Sequence, residues 1–204
     1  MKLSRLVEIS ASEEAKKRGL SYVGWGKWAD KSGSIIAQTI KGKLVFLGGD
    51  KDIRADKNIV KAEEVATYAH QGQRYGLHPY TYHLNKVYQN AVKFGGSSVE
   101  RQVSWLHDVI EDTAMTEDQL QRIFGEKVAH LVDLLTNRSS KEETYKRIRT
   151  DPQAVFVKLC DRLANVEGGE KNEMYRKQQP LFKSILYRPG EYESLWHELD
   201  TKLA

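Results

Sequence analysis

The strongest constraint on this chain is a change of periodicity near Asn58. Beyond it, apolar residues recur three and four positions apart almost to the last residue, the spacing of helices that bury one face. Before it, β-branched and aromatic runs alternate with turn residues. The spacing predicts helices over 58–74, 82–94, 98–112, 116–124, 126–137, 139–150, 153–167, 172–187 and 190–203. Gly95-Gly96 and Gly125 interrupt these runs, Thr116 stands as an N-cap before Glu117-Asp118, Asp151-Pro152 opens a helix and Gly168-Gly169 closes one.

Upstream, residues 10–18 read as a short helix stopped by Gly19, and the runs 22–28, 34–40 and 43–47 as an antiparallel meander of two or three strands with turns at 31–33 and 41–42. So small a sheet needs a second layer to pack on. Tyr22, Trp25, Lys27 and Trp28 either anchor it or form an exposed aromatic and basic surface for RNA or protein. The expected organisation is mainly α, a helical domain over 58–204 carrying a β-rich appendage over 1–57.

Of the 204 residues, 40% are hydrophobic and 29% charged, which excludes collagenous, low-complexity and bulk-disordered classes. The longest apolar runs are about four residues, against the ~20 needed to cross a bilayer. The lone Cys160 excludes an internal disulfide and a cysteine zinc site. The first ten residues carry charge without a leader's apolar stretch, so the expected location is the cytoplasm. The net charge of +4 is a spread-out excess of 32 basic over 28 acidic residues, which suits an anionic small molecule and makes nucleic acid an unexpected partner.

Three segments carry chemistry. In Val103-Ser-Trp-Leu-His-Asp-Val-Ile-Glu-Asp112, a continuous helix sets Val103, Leu106, Val109 and Ile110 on one arc and His107, Asp108, Glu111 and Asp112 on the opposite one. That second arc is either a solvated polar face or a ligand and acid–base set, and the adjacent His-Asp pair favours the latter. In the run from Ala154 to Asn165, Phe156, Leu159, Cys160 and Leu163 make an apolar stripe beside Lys158, Asp161, Arg162 and Asn165. An Asp in so apolar a helix is paired with a neighbouring cation or metal-bound. Between Ala69 and His83 stand three histidines, His70, His78 and His83, each a structural residue or a ligand.

In order, A-H-x-G-Q-R…P-Y-x-x-H, H-D-x-x-E-D-T and V-K-L-x-D-R-L-x-N, this pattern resembles the hydrolase domain of RelA/SpoT-type alarmone enzymes, especially the single-domain small alarmone hydrolases of the HD superfamily. The resemblance spans about 58–190. It implies an HD-domain helical bundle in which His83, His107, Asp108 and Asp161 bind one Mn²⁺ ion. It further implies that Glu111 and Asp112 orient and deprotonate the attacking water, and that the 3′-pyrophosphate of ppGpp or pppGpp is released to leave GDP or GTP. Arg74 matches the family arginine near base and ribose, and Asn165 the asparagine at the sugar. Arg162 is expected beside the phosphates and Lys158 either there or bracing Asp108 or Asp112, with Lys171, Arg176 and Lys177 as an outer clamp or plain solvated charges.

The chain departs from the family at Tyr75, where a lysine is usual and an aromatic ring invites purine stacking, and in the run from Leu134 to Tyr145. These departures keep open another nucleotide substrate, such as (p)ppApp or a nucleotide 3′-phosphate, and, from another class, a nucleotide-sensing module. With the sequence ending at Ala204, degradation without synthesis is the expectation. A homo-oligomer, or a protein partner met through residues 1–57, is compatible with this reading.

Overall fold

The computed structural model describes residues 10–17, 19–23, 27–29, 35–40, 43–46, 56–169 and 172–204. The expected turns at 31–33 and 41–42, and the expectations for Trp25 and Lys171, lie outside them. The chain divides into two compact units, Met1–Ile53 and Arg54–Ala204.

In the first unit, α1 (Ala11–Lys17) precedes an antiparallel meander of β1 (Ser21–Tyr22), β2 (Lys27–Ala29), β3 (Ile35–Ile40) and β4 (Lys43–Phe46). The run 22–28, expected as one strand, contributes to two, with Tyr22 opposite Trp28. Trp28 is buried with Ala15, Leu20 and Ala37, and its indole donates to Thr39 Oγ1 at 2.9 Å. Tyr22, 60% exposed, leans on the Trp28 ring. Trp28 therefore anchors the unit's own small core, as an indole does when its N–H finds a partner.

The second unit is helical: α2 (Lys57–Ala69), α3 (Thr81–Lys93), α4 (Ser98–Leu106), α5 (Val109–Asp112), α6 (Glu117–Phe124), α7 (Glu126–Leu135), α8 (Lys141–Ile148), α9 (Pro152–Glu167), α10 (Asn172–Leu186) and α11 (Glu193–Leu203). A hairpin of β5 (Arg74–Tyr75) and β6 (His78–Pro79) joins α2 to α3. α9 is the axis of this unit. It packs against α3, α4, α7, α8, α10 and α11, and is buried on nearly every side from Ala154 to Val166, as expected of a helix apolar around most of its circumference. Asp151 caps it by accepting from Gln153 N, with Pro152 in the first turn. Capping boxes start α4 at Ser97 and Glu100 and α6 at Thr116 and Gln119.

Two expected helices end early. The helix over 58–74 stops at Ala69, because Gly72 and Gly76 adopt φ values of +82° and +58° that suit tight turns. The helix over 98–112 is broken at His107-Asp108, where Asp108 takes φ −101° and ψ −2°, in the bridge region favoured at turns and functional sites. Consecutive residues on an unbroken helix point 100° apart; this break lets two neighbouring side chains face one point.

Candidate active site and metal centre

That point lies between α3, α4 and α9. His83 projects from the first turn of α3 and His107 from the end of α4, and both rings are buried. Asp108 sits at the break and Asp161 midway along α9. Asp108 Oδ2 is 3.1 Å from His107 Nε2 and 3.8 Å from His83 Nε2. Asp161 Oδ1 is 3.3 Å from His83 Nε2 and 3.7 Å from His107 Nε2. The four therefore do not share a solvated arc, as a continuous helix implied for His107 and Asp108; the imidazoles form a buried floor and the carboxylates close over it.

The donor set fits a divalent cation. His107 Nδ1 is hydrogen-bonded to the Ser104 carbonyl at 3.0 Å, an arrangement that in the neutral ring fixes the tautomer and turns the Nε2 lone pair into the cluster. His107 Nε2 is itself buried without a hydrogen bond of proper geometry. Burial opposes charge on this ring, yet Asp108 and then Asp161 outweigh it and push the His107 pKa up to about 10. Burial likewise works against ionised Asp108 and Asp161, but His107 holds the first, and Lys158 the second, well below the usual carboxylate range. Two ionised carboxylates against two imidazoles draw positive charge to their centre, which a proton on His107 or, in its place, a divalent cation supplies. His83, His107 and Asp108 form the potential metal-holding group found among the described residues.

Around the floor stand groups that orient it. Lys158 Nζ donates to Asp161 Oδ2 at 2.8 Å and Asn165 Nδ2 to Asp161 Oδ1 at 2.7 Å. The Tyr80 hydroxyl lies 2.6 Å from Asp108 Oδ2 and 3.0 Å from Asp112 Oδ2. Gln73 Nε2 donates to the Asp112 carbonyl, and Gln73 in turn bonds His70, whose ring stacks on Tyr80 at 4.6 Å. Asn137, in the loop after α7, donates from its backbone N and its Nδ2 to both carboxylate oxygens of Glu111, each at 2.9 Å. Glu111 and Asp112 are exposed on α5, at the edge of the cluster.

A cavity of ≈ 650 Å³ opens above these groups, within the size range of small-molecule sites. Tyr80, His83, Asp108, Glu111, Asp112 and Asp161 line one side, and Arg74, Lys141, Lys158 and Arg162 give the wall a cationic character. Burial, followed by repulsion from Arg162 and Lys158, lowers the Lys141 pKa. Tyr145, Met174, Tyr175 and Gln178 add amphipathic wall.

The expected nucleotide contacts are placed in different ways. Arg74 is exposed at the cavity mouth, with one guanidinium nitrogen on the Leu77 carbonyl. Arg162 borders the cavity but is buried: it donates to Gln179 Oε1 and the Tyr175 carbonyl, its guanidinium lies 4.2 Å from the Phe182 ring centroid, and Gln179 is anchored by Asp200 of α11. Asn165 points at Asp161, and Tyr75 stacks on His83. His70 and His78 lie outside the cluster, His78 being stacked on Tyr82. Arg176 bonds the Leu203 and Ala204 carbonyls, and Lys177 pairs with Glu173. Tyr80, Gln73, Asn137 and Lys141 carry no role that the sequence pattern predicts, although Tyr80 and Gln73 stand inside the ordered motifs and Asn137 and Lys141 inside the divergent run from Leu134.

Residues 62–186 match the family model described as HD domain. The chain is 31% identical over 161 residues to the guanosine-3′,5′-bis(diphosphate) 3′-pyrophosphohydrolase of Aquifex aeolicus, covering 71% of this chain and 23% of that protein. To the enzyme of the same name from Spiroplasma citri it is 32% identical over 167 residues, covering 69% and 21%. To a probable chloroplastic GTP diphosphokinase of Oryza sativa it is 32% identical over 143 residues, covering 61% and 20%. It thus spans about a fifth of the length of these curated relatives. Among solved structures, a metazoan SpoT ortholog described as hydrolysing ppGpp superposes with a TM-score of 0.61 at 22% identity, over 71% of this chain and 93% of that one.

Proposed function

Because the chain belongs to the HD domain family, we propose that it is a metal-dependent phosphohydrolase that removes the 3′-pyrophosphate of ppGpp and pppGpp, giving GDP or GTP and pyrophosphate. The relatives named for this reaction support the substrate. The observation that carries the reading is the convergence of His83, His107, Asp108 and Asp161 at the base of a cation-lined cavity, with Glu111 and Asp112 at its edge.

In this reading His83, His107, Asp108 and Asp161 hold one ion, with Mn²⁺ suited to a mixed imidazole and carboxylate set. When bound, the ion supplies Lewis acidity toward water and phosphoryl oxygen. The Glu111-Asp112 pair takes up one proton from the attacking water as its oxygen forms a bond to the phosphorus on the ribose 3′ oxygen; the bond from that phosphorus to the 3′ oxygen breaks, the 3′ oxygen takes a proton back to become a hydroxyl, and pyrophosphate leaves. Asn137 holds Glu111, and Tyr80 holds Asp112, so neither carboxylate must be ordered during the reaction. Lys158 fixes Asp161, and Lys141, Arg74 and Arg162 give a polyanionic substrate a complementary wall.

No described helix is long and apolar enough to cross a membrane, and the proposed setting is the cytoplasm. The decisive assay incubates metal-loaded protein with ppGpp and separates the products. GDP plus pyrophosphate is the expected outcome, and its absence overturns the proposal. Running adenosine alarmones and nucleotide 3′-phosphates alongside distinguishes another substrate of the same site, and tight nucleotide binding without turnover in any divalent metal points to a sensing module.

A further inference from the structure

Tyr75 occupies β5 at the cavity wall, where an aromatic ring invites assignment as a platform for the nucleotide base. Two of its contacts run the other way, into the centre. The ring lies nearly parallel to His83, with centroids 4.9 Å apart and planes inclined by 16°. Its hydroxyl donates to Asn165 Oδ1 at 2.9 Å. The opposite end of the same amide, Nδ2, donates to Asp161 Oδ1 at 2.7 Å and to the Asp161 carbonyl at 3.0 Å.

An asparagine side chain presents one accepting and one donating end, whereas an ionised carboxylate only accepts. Asn165 supports Asp161 only with Nδ2 turned toward it, and a hydroxyl donating to Oδ1 holds the amide in that sense. The Asp161 oxygen so addressed is the one nearest His83 Nε2, at 3.3 Å. A single side chain thus reaches two of the four converging groups, one by stacking and one through an amide.

We propose that Tyr75 is a positioning residue of the metal centre, orienting His83 through its ring and Asp161 through Asn165, and that it is not the platform for the base. This rests on the metal site of the proposed function.

The test measures Mn²⁺ binding alone, by titration calorimetry on the full chain, for wild type, Tyr75→Phe and Tyr75→Ala, and compares kcat/KM for guanine and adenine alarmones. Tyr75→Phe keeps the stacked ring and loses the hydroxyl, and Mn²⁺ affinity is expected to fall about tenfold; Tyr75→Ala loses both, and the fall approaches hundredfold. The guanine-to-adenine ratio stays as in wild type. Unchanged Mn²⁺ affinity in both variants, or an altered base ratio, overturns the inference. If Tyr75→Ala fails to fold, Tyr75→Phe carries the test by itself. Wild type that binds no Mn²⁺ overturns the metal site and this inference together, whereas normal wild-type binding with unaffected variants overturns this inference alone.

Discussion

Asn137 grips Glu111 from the far side of the cavity mouth: one backbone N–H and one side-chain amide meet both oxygens of its carboxylate at 2.9 Å. Asn137→Ala retains the backbone bond and removes the amide. A hydrogen bond to a charged group is worth about 1.5–3 kcal/mol, so kcat is expected to fall roughly ten- to hundredfold. Mn²⁺ affinity should remain that of wild type, because Glu111 is outside the ligand set. Steady-state kinetics with a parallel metal titration checks this, and an unaltered kcat removes Asn137 from the mechanism.

Tyr80 offers a different separation. Its hydroxyl faces Asp108 and Asp112, while its ring rests on His70. Tyr80→Phe keeps the ring contact, so folding stability should change by only about 1 kcal/mol. Because one partner is a proposed ligand and the other a proposed acid–base group, metal affinity and kcat should both drop, the former by about tenfold. Calorimetry and turnover on the same preparation provide the comparison. A loss confined to kcat would assign the hydroxyl to Asp112 alone.

Metal affinity should rise with pH. Coordination needs the neutral lone pair of His107, whereas burial opposed by the stronger pull of Asp108 and Asp161 brings its metal-free pKa to about 10. Below that value a proton must leave as metal binds, at a cost of about tenfold in affinity for each pH unit lowered. The same upward shift stabilises the metal-free fold fully below the unfolded value of ~6.5 and ceases to do so as pH climbs through the folded value. Mn²⁺ titrations between about pH 6.5 and 8.5 read the slope. A flat profile would contradict a protonated His107.

Gly96 allows a prediction about the frame alone. A Cβ there would lie 2.7 Å from Phe156 Cε1 and 3.0 Å from the Ala91 carbonyl. Gly96→Ala is therefore expected to cost about 1–3 kcal/mol through overpacking, lowering Tm by roughly 2–4 °C for each kcal/mol in a chain of this size. Mn²⁺ affinity at low temperature should be retained. Thermal unfolding followed by circular dichroism tests this, and an unshifted Tm would mean that the Phe156 ring moves aside freely.

The helices after Asn58 were legible because each buries a stripe at a helical period, and their caps are local signals. The early ends at Ala69 and Leu106 were less so: apolar spacing continues past Leu106 at Val109 and Ile110, while the glycine φ values at Gly72 and Gly76 and the backbone turn at Asp108 answer to what the side chains must face. Spacing alone left His83, His107, Asp108 and Asp161 open between structural and ligand roles, and only the ordered motifs drew them together. Asn137 and Tyr80 were opaque for a tertiary reason, since they act on carboxylates 26 and 28 residues away. Asn165 and Arg162, expected at the nucleotide, have donors committed within the protein, a balance that no linear pattern records.

Arg162 holds its bearing through Gln179, and Gln179 through Asp200, which Lys183 also grips. A carboxylate near the end of the last helix thereby acts as the footing of a strut whose other end stands at the cavity wall. Tolerance to substitution in this molecule should follow the load path of that strut rather than distance from the pocket, so a survey confined to cavity-lining positions would pass over Asp200.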